Sequence, residues 1–169
     1  DVIQKEGSEQ DKNIDNISCI ISDLMERGCS RNSLIIGMGG GVITDMVGFI
    51  ASIFMRGVDH IFIPSTLLGM VDASIGGKTG INTQKGKNII GTFKQPERVI
   101  IDPIFLNTLN SDQIINGLAE VIKYGLICDD KLFSYIQENL DLLRQAYELA
   151  PEEIDVVYAL AEAEFRDGN

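Results

Sequence analysis

The sequence predicts an α/β fold with a parallel sheet, followed by an all-helical segment. Three observations predict it: helix-length and strand-length apolar segments alternate, glycines cluster where a strand gives way to a helix, and only helical periodicity is left after Ser111. With 169 residues, 44% of them hydrophobic, the chain can bury the core of one domain or slightly more.

The elements follow in order. Ile14, Ile17, Ile20, Ile21, Leu24 and Met25 form one stripe of an amphipathic helix that Gly28 ends. SLIIG, Ser33 to Gly37, reads as a short buried strand, and VITDMVGFIASIF, Val42 to Phe54, as a helix apolar enough to be buried all round. HIFIP is a second strand, stopped by Pro64, and RVIID, Arg98 to Asp102, a third. Helices are expected over 111–126, 130–147 and 152–166, which places a domain boundary near residue 110, with 1–110 as the α/β part and 111–169 as the helical part.

Charge narrows the partners. The net charge of −11 argues against nucleic acid or an anionic membrane. Residues 1–45 carry four basic and eight acidic groups, 46–128 seven and six, and 129–169 three and eleven. Only the middle is not acidic, and there Lys78, Lys85, Lys87, Lys94 and Arg98 gather among glycines. On charge alone this cluster is an anion site or a solvated loop. Nothing resembles a signal peptide and no apolar run reaches the ~18 residues of a membrane span, so a soluble chain is expected. Cys19, Cys29 and Cys128 form no CxxC pair and read as reduced intracellular thiols.

Two glycine motifs compete for a nucleotide. In GMGGGVITD, Gly37 to Asp45, the pattern G-x-G-x-x-G is met at Gly37 and Gly39, but Val42 stands at the third glycine. A glycine-rich strand-to-helix turn still lets backbone N–H groups approach a pyrophosphate, so nucleotide loop and tight turn both remain. GGKTG, Gly76 to Gly80, imitates the end of a P-loop; the glycine required five positions before Gly77 is replaced by Asp72, which excludes that reading.

GGGVITD, MRG, PSTLL, VDASIGGKTG, GKN and AEVIKYG stand together in this order and spacing. The set resembles the 3-dehydroquinate synthases, a branch of the sugar phosphate cyclases, from about Leu34 to Leu143 and more loosely back to Glu6. The resemblance implies a partial Rossmann-like NAD-binding domain followed by part of a helical domain. It also implies NAD, a divalent metal (zinc or cobalt), a cytoplasmic homodimer, and the shikimate-pathway conversion of the phosphorylated keto sugar acid DAHP to 3-dehydroquinate and phosphate. In this carbon–oxygen lyase the NAD is regenerated in each turnover.

Residue by residue, the resemblance gives Gly39, Gly40 and Gly41 to the pyrophosphate, with Asp45 near the cofactor, and Ser65, Thr66 and Thr108 to further cofactor contacts. Glu9 and Lys12, in GSEQDK, match a pair flanking the adenosine side. Arg56, Asp72, Lys78, Lys87, Asn88 and Lys123 match the substrate cage, and Glu120 the carboxylate ligand of the metal. A substrate carrying carboxylate and phosphate needs several cations, which Arg56, Lys78, Lys87 and Lys123 offer. Read from the residues alone, Glu120 and Lys123 are equally a surface i,i+3 pair, Asp72 a cap or turn residue, and Asn88 a loop cap. Lys85 and Lys94 read as solvated charges.

The chain departs from that family in three ways. Family members are roughly twice as long, so this sequence is expected to begin inside the cofactor domain. The metal of the family needs two histidines besides the glutamate, whereas His60, at a strand start, is the sole histidine here and reads as a packed or surface residue. The tail 144–169 diverges: Ala146, Pro151, Leu160, Ala161, Ala163, Phe165 and Gly168 resemble the join of two tetratricopeptide repeats, with an acidic amphipathic helix as the plainer reading. Two other functions stay open: a non-catalytic NAD-binding or interaction fragment, and a sister cyclase acting on another sugar phosphate. Exposed apolar helix faces predict self-association.

Overall fold

The computed structural model describes residues 1–138. The expected helix over 152–166, the end of that over 130–147 and the tetratricopeptide-like residues lie outside the described residues. The chain divides into two compact units, Asp1–Phe105 and a second beginning at Leu106.

In the first unit, helix α1 (Ile14–Glu26) starts at Asn13, whose side chain accepts from the Asn16 amide at 3.0 Å. It ends in a Schellman motif: Gly28 donates to the Met25 carbonyl and Cys29 to that of Leu24, both at 3.0 Å. Strand β1 (Ile35–Gly39) leads into α2 (Gly41–Ile53), and β2 (His60–Pro64) follows. β1 and β2 pair in parallel from Ile35↔His60 to Gly39↔Pro64, and β5 (Arg98–Val99) adds to the other side of β2. Ile17 and Ile20 of α1 meet Met46, Phe49, Ile50 and Ala51 of α2 in the core, with Phe54, Val58 and Ile81. The largely apolar α2 is buried at Thr44, Met46, Gly48, Phe49, Ile50 and Ala51, as its composition predicts.

Three expectations need correction. The first strand runs from Ile35 to Gly39 rather than from Ser33 to Gly37. Its glycines lie inside the ladder because α2 packs on them: a Cβ on Gly37 would come within 2.8 Å of Val47. The third strand keeps only Arg98–Val99; Ile100 makes one further bond to Phe62, and then the Asp102 side chain accepts from the Ile104 amide and starts the helical turn Pro103–Thr108. The reading of Lys94 as a solvated charge is narrowed: the residue as a whole is half-buried.

The structure adds an antiparallel hairpin, β3 (Lys78–Thr83) and β4 (Gly86–Phe93), through the glycine-rich basic stretch. A π-helical turn, Gly69–Ala73, precedes it and closes with the Ser74 amide on the Gly69 carbonyl at 3.1 Å. In the second unit, α3 (Ser111–Cys128) opens with a capping box in which Asn110 and Gln113 each take the other's amide, and α4 (Asp130–Glu138) follows. Among the described residues no helix is long and apolar enough to cross a membrane.

Candidate functional site

The site begins where β1 ends. Gly40 is the N-cap of α2, extended and without a side chain to close the cap, so the first-turn N–H groups of the helix remain directed outward. Together with the helix dipole they form a site suited to an anion. Gly39 has to be glycine here, because a Cβ would lie 2.7 Å from the Ile43 side chain. The expected Ser65–Thr66 pair closes the other wall. The Ser65 amide donates to the Gly39 carbonyl at 2.9 Å, Thr66 Oγ1 accepts from the Gly69 amide at 3.1 Å, and the Thr66 methyl sits 3.0 Å from where a Gly40 side chain would start.

Beside this turn lies a polar cluster drawn from three distant segments. Lys12, 3% exposed, forms an ion pair with Asp45 and donates to Asn88 Oδ1 at 2.6 Å. Burial pushes the Asp45 carboxyl above its usual range; the Lys12 ammonium opposes this, and the Glu9 and Asp72 charges add to it. Asn88 holds a left-handed backbone, φ +55°, which asparagine tolerates better than most residues.

The hairpin and the π-helical turn line an open cavity of about 520 Å³. Asp45, Asp72, Lys78 and Asn88 supply its polar lining, while Ile75, Ile89 and Phe93 supply apolar walls. Thr79 and Thr92 face each other across the hairpin, Oγ1 to Oγ1 at 2.7 Å, and also line the cavity. The first unit therefore brings Lys12, Asp45, Asp72, Lys78 and Asn88 together, next to Gly39, Gly40, Gly41, Ser65 and Thr66. Glu9 joins through Asn82, whose amide donates to the Glu9 carboxylate at 2.7 Å.

Other expected residues are not among those that line the cavity. Lys87 is exposed. So is Arg56, with φ +69° beside Met55 at φ +49°; for side chains of this size the left-handed region is strained. Thr108 ends the turn Pro103–Thr108, and Glu120 and Lys123 belong to α3. Glu120 and Lys123 form an i,i+3 ion pair on α3.

Among the described residues no metal centre is assembled: no three His, Cys, Asp or Glu side chains there could share a metal ion. His60, the sole histidine, is 0% exposed and packs edge-on to Phe62, with ring centroids 4.7 Å apart. Glu120 alone does not make the three-ligand set of a catalytic zinc site. For NAD the fit is better: no side chain caps the first turn of α2, so its N–H groups are left for a pyrophosphate.

A strand, a glycine turn and a helix whose N-terminus is left open is the construction of dinucleotide-binding α/β proteins, and the cavity beside it, lined by Lys78, Asp45, Asp72 and Asn88, suits a polar ligand. Comparison with known proteins specifies the branch. The profile described as 3-dehydroquinate synthase N-terminal matches residues 2–116. The 3-dehydroquinate synthase of Alkaliphilus metalliredigens (strain QYMF) is 50% identical over 139 residues, which are 82% of this chain and 39% of that protein. Among solved structures, 2-epi-5-epi-valiolone synthase from Streptomyces hygroscopicus subsp. jinggangensis 5008, with NAD+ and Zn2+ bound, is 33% identical with a TM-score of 0.77, over 96% of this chain and 45% of that one. A 2-deoxy-scyllo-inosose synthase complexed with carbaglucose-6-phosphate, NAD+ and Co2+ is 27% identical with a TM-score of 0.71, over 74% of this chain and 34% of that one. The chain belongs to the 3-dehydroquinate synthase family. It spans about two fifths of the length of the curated relative it matches.

Asn82, Thr79, Thr92 and the apolar walls escape the sequence reading. Their place depends on the register of β3 against β4, and no spacing in the sequence announces that register.

Proposed function

We propose that this chain carries the NAD turn and the lysine-bearing substrate pocket of a 3-dehydroquinate synthase, the shikimate-pathway lyase that converts DAHP to 3-dehydroquinate with loss of phosphate. The observation that supports this best is the adjacency of an uncapped helix N-terminus to the cavity bearing Lys78, Asp72 and Asn88. NAD, when bound, supplies a transient hydride acceptor. Binding and orientation fall to the chain's own residues. Gly39, Gly40 and Gly41 receive the pyrophosphate on backbone N–H groups, Asp45, Ser65, Thr66 and Thr108 contact the cofactor, and Glu9 with Lys12 holds its adenosine side. Lys78, with Arg56, Lys87 and Lys123, neutralises the substrate's carboxylate and phosphate, while Asp72 and Asn88 orient its hydroxyls. Glu120 offers one carboxylate to zinc or cobalt. We further infer a cytoplasmic homodimer, by analogy with the family.

A sister-cyclase reading draws on the 33% identity to the valiolone synthase, but the 50% identity to a 3-dehydroquinate synthase outweighs it. The test is phosphate release from DAHP by the 169-residue chain with NAD and zinc, beside Lys78→Ala, with NAD+ binding measured by calorimetry on the same samples. Release by the native chain that is lost in Lys78→Ala supports the synthase. NAD+ binding without release leaves a cofactor-binding fragment. No NAD+ binding at millimolar concentration overturns the reading.

A further inference from the structure

Asn82 lies in β3 where the pairing with β4 shifts register between Ile81 and Thr83. Such a bulge turns a side chain out of the regular alternation of a strand. The freed carboxamide is fully used. Its Nδ2 donates to Glu9 Oε1 at 2.7 Å and to the Glu9 carbonyl at 3.2 Å, and its Oδ1 accepts from the Asn88 amide at 2.9 Å. Its backbone N–H donates to the Lys12 carbonyl at 2.7 Å. One residue thus ties the 9–12 segment to the hairpin and fixes the backbone of Asn88, whose side chain in turn accepts from Lys12 at 2.6 Å.

We infer that Asn82 is a positioning residue of the cofactor end of the site: it fixes the Glu9 carboxylate and the left-handed Asn88 backbone relative to Lys12. This rests on the reading of the site as an NAD site. An asparagine that merely stapled a turn would need one of these bonds. Here both amide protons and the carbonyl oxygen are spent on two residues that the sequence assigns to the site. The donor role predicts that aspartate is a poor replacement: a carboxylate at 82 would still accept from the Asn88 amide but would face the Glu9 carboxylate with no proton to give.

The test is NAD+ calorimetry on the full chain for the native protein, Asn82→Ala, Asn82→Asp, Glu9→Gln and the double variant Glu9→Gln with Asn82→Asp, with Tm measured on each. Asn82→Ala and Asn82→Asp are expected to raise the NAD+ Kd roughly five- to tenfold, the worth of one or two hydrogen bonds. In the Glu9→Gln background, where the new carboxamide can donate to the new carboxylate, Asn82→Asp is expected to cost less than about twofold. A fall in Tm with Kd unchanged in Asn82→Ala and Asn82→Asp, or an equal penalty in both backgrounds, would overturn the inference and leave a structural staple. Absence of NAD+ binding in the native chain would overturn the cofactor reading and the inference together, and the native control separates that outcome from the others.

Discussion

Lys12 and Asp45, 33 residues apart in sequence, form a buried ion pair that fastens the segment before α1 to the second turn of α2. The ammonium also reaches Asn88, 76 residues away, so one cation joins the N-terminal segment, the nucleotide-type helix and the hairpin. Its side chain is 4% exposed and that of Asp45 20%, so neither charge has much water to fall back on. Removing one partner from such a pair leaves a desolvated charge, which is worse than losing the pair altogether.

Lys12→Met is accordingly expected to destabilise the first unit by about 3 kcal/mol at neutral pH, as read from the urea midpoint. Burial already holds the Asp45 pKa above its ordinary 3.8, and loss of the ammonium raises it further. The penalty therefore exists above the folded-state pKa and fades as pH falls and the carboxyl takes up a proton. Adding Asp45→Asn to Lys12→Met should recover more than half of the loss. A double variant as unstable as the single one would mean that the lysine acts through packing and not through its charge.

His60 sets a second pH dependence. It is wholly buried, neither ring nitrogen meets a protein partner, and burial, with Lys94 adding to it, lowers its pKa from 6.5 to about 4. Between those values the unfolded chain binds the proton that the folded chain refuses, so stability is lost as pH falls from about 6.5 toward 4. The loss reaches about 3 kcal/mol at most, at 1.36 kcal/mol per pKa unit. His60→Phe should flatten urea midpoints across this window. An undiminished slope would assign the acid sensitivity to other groups.

Arg56 combines exposure with φ +69°, and the left-handed region costs a non-glycine residue about 1–2 kcal/mol. Arg56→Gly should therefore stabilise the chain by about 1 kcal/mol after the extra flexibility of glycine in the unfolded state is set against it. The same change should weaken DAHP binding if the guanidinium serves the substrate. Calorimetric Tm and DAHP titration together decide it. Lower stability would mean that the arginine is retained for packing, and stabilisation with unchanged binding would remove it from the substrate cage.

Much of the site was legible as motif. GMGGGVITD, PSTLL and VDASIGGKTG carry the glycine turn, the Ser65–Thr66 wall and Lys78 in residues a few positions apart, and local segments of that kind keep their geometry in the fold. Helices α1 and α2 were legible for the same reason: apolar spacing and length act within one segment. The hairpin was not. GKTGINTQKGKNIIGTF has little period-2 alternation, and its pairing is fixed by packing under α2, with Ile81 wholly buried in the shared core.

By itself, the sequence determined the order of α1, β1, α2 and β2, the family and the list of charged residues, because each of these is written in short-range pattern. Tertiary structure decided which charges are paired. Lys12, matched by sequence to the cofactor's adenosine side but with no partner named there, meets Asp45 and Asn88 from distant segments only in the fold. Asn82 gains its role only from a register shift in β3. Desolvation is the physical reason: the energy of an ion pair or of a spent carboxamide depends on what surrounds it in space, and that neighbourhood exists only after the chain has folded.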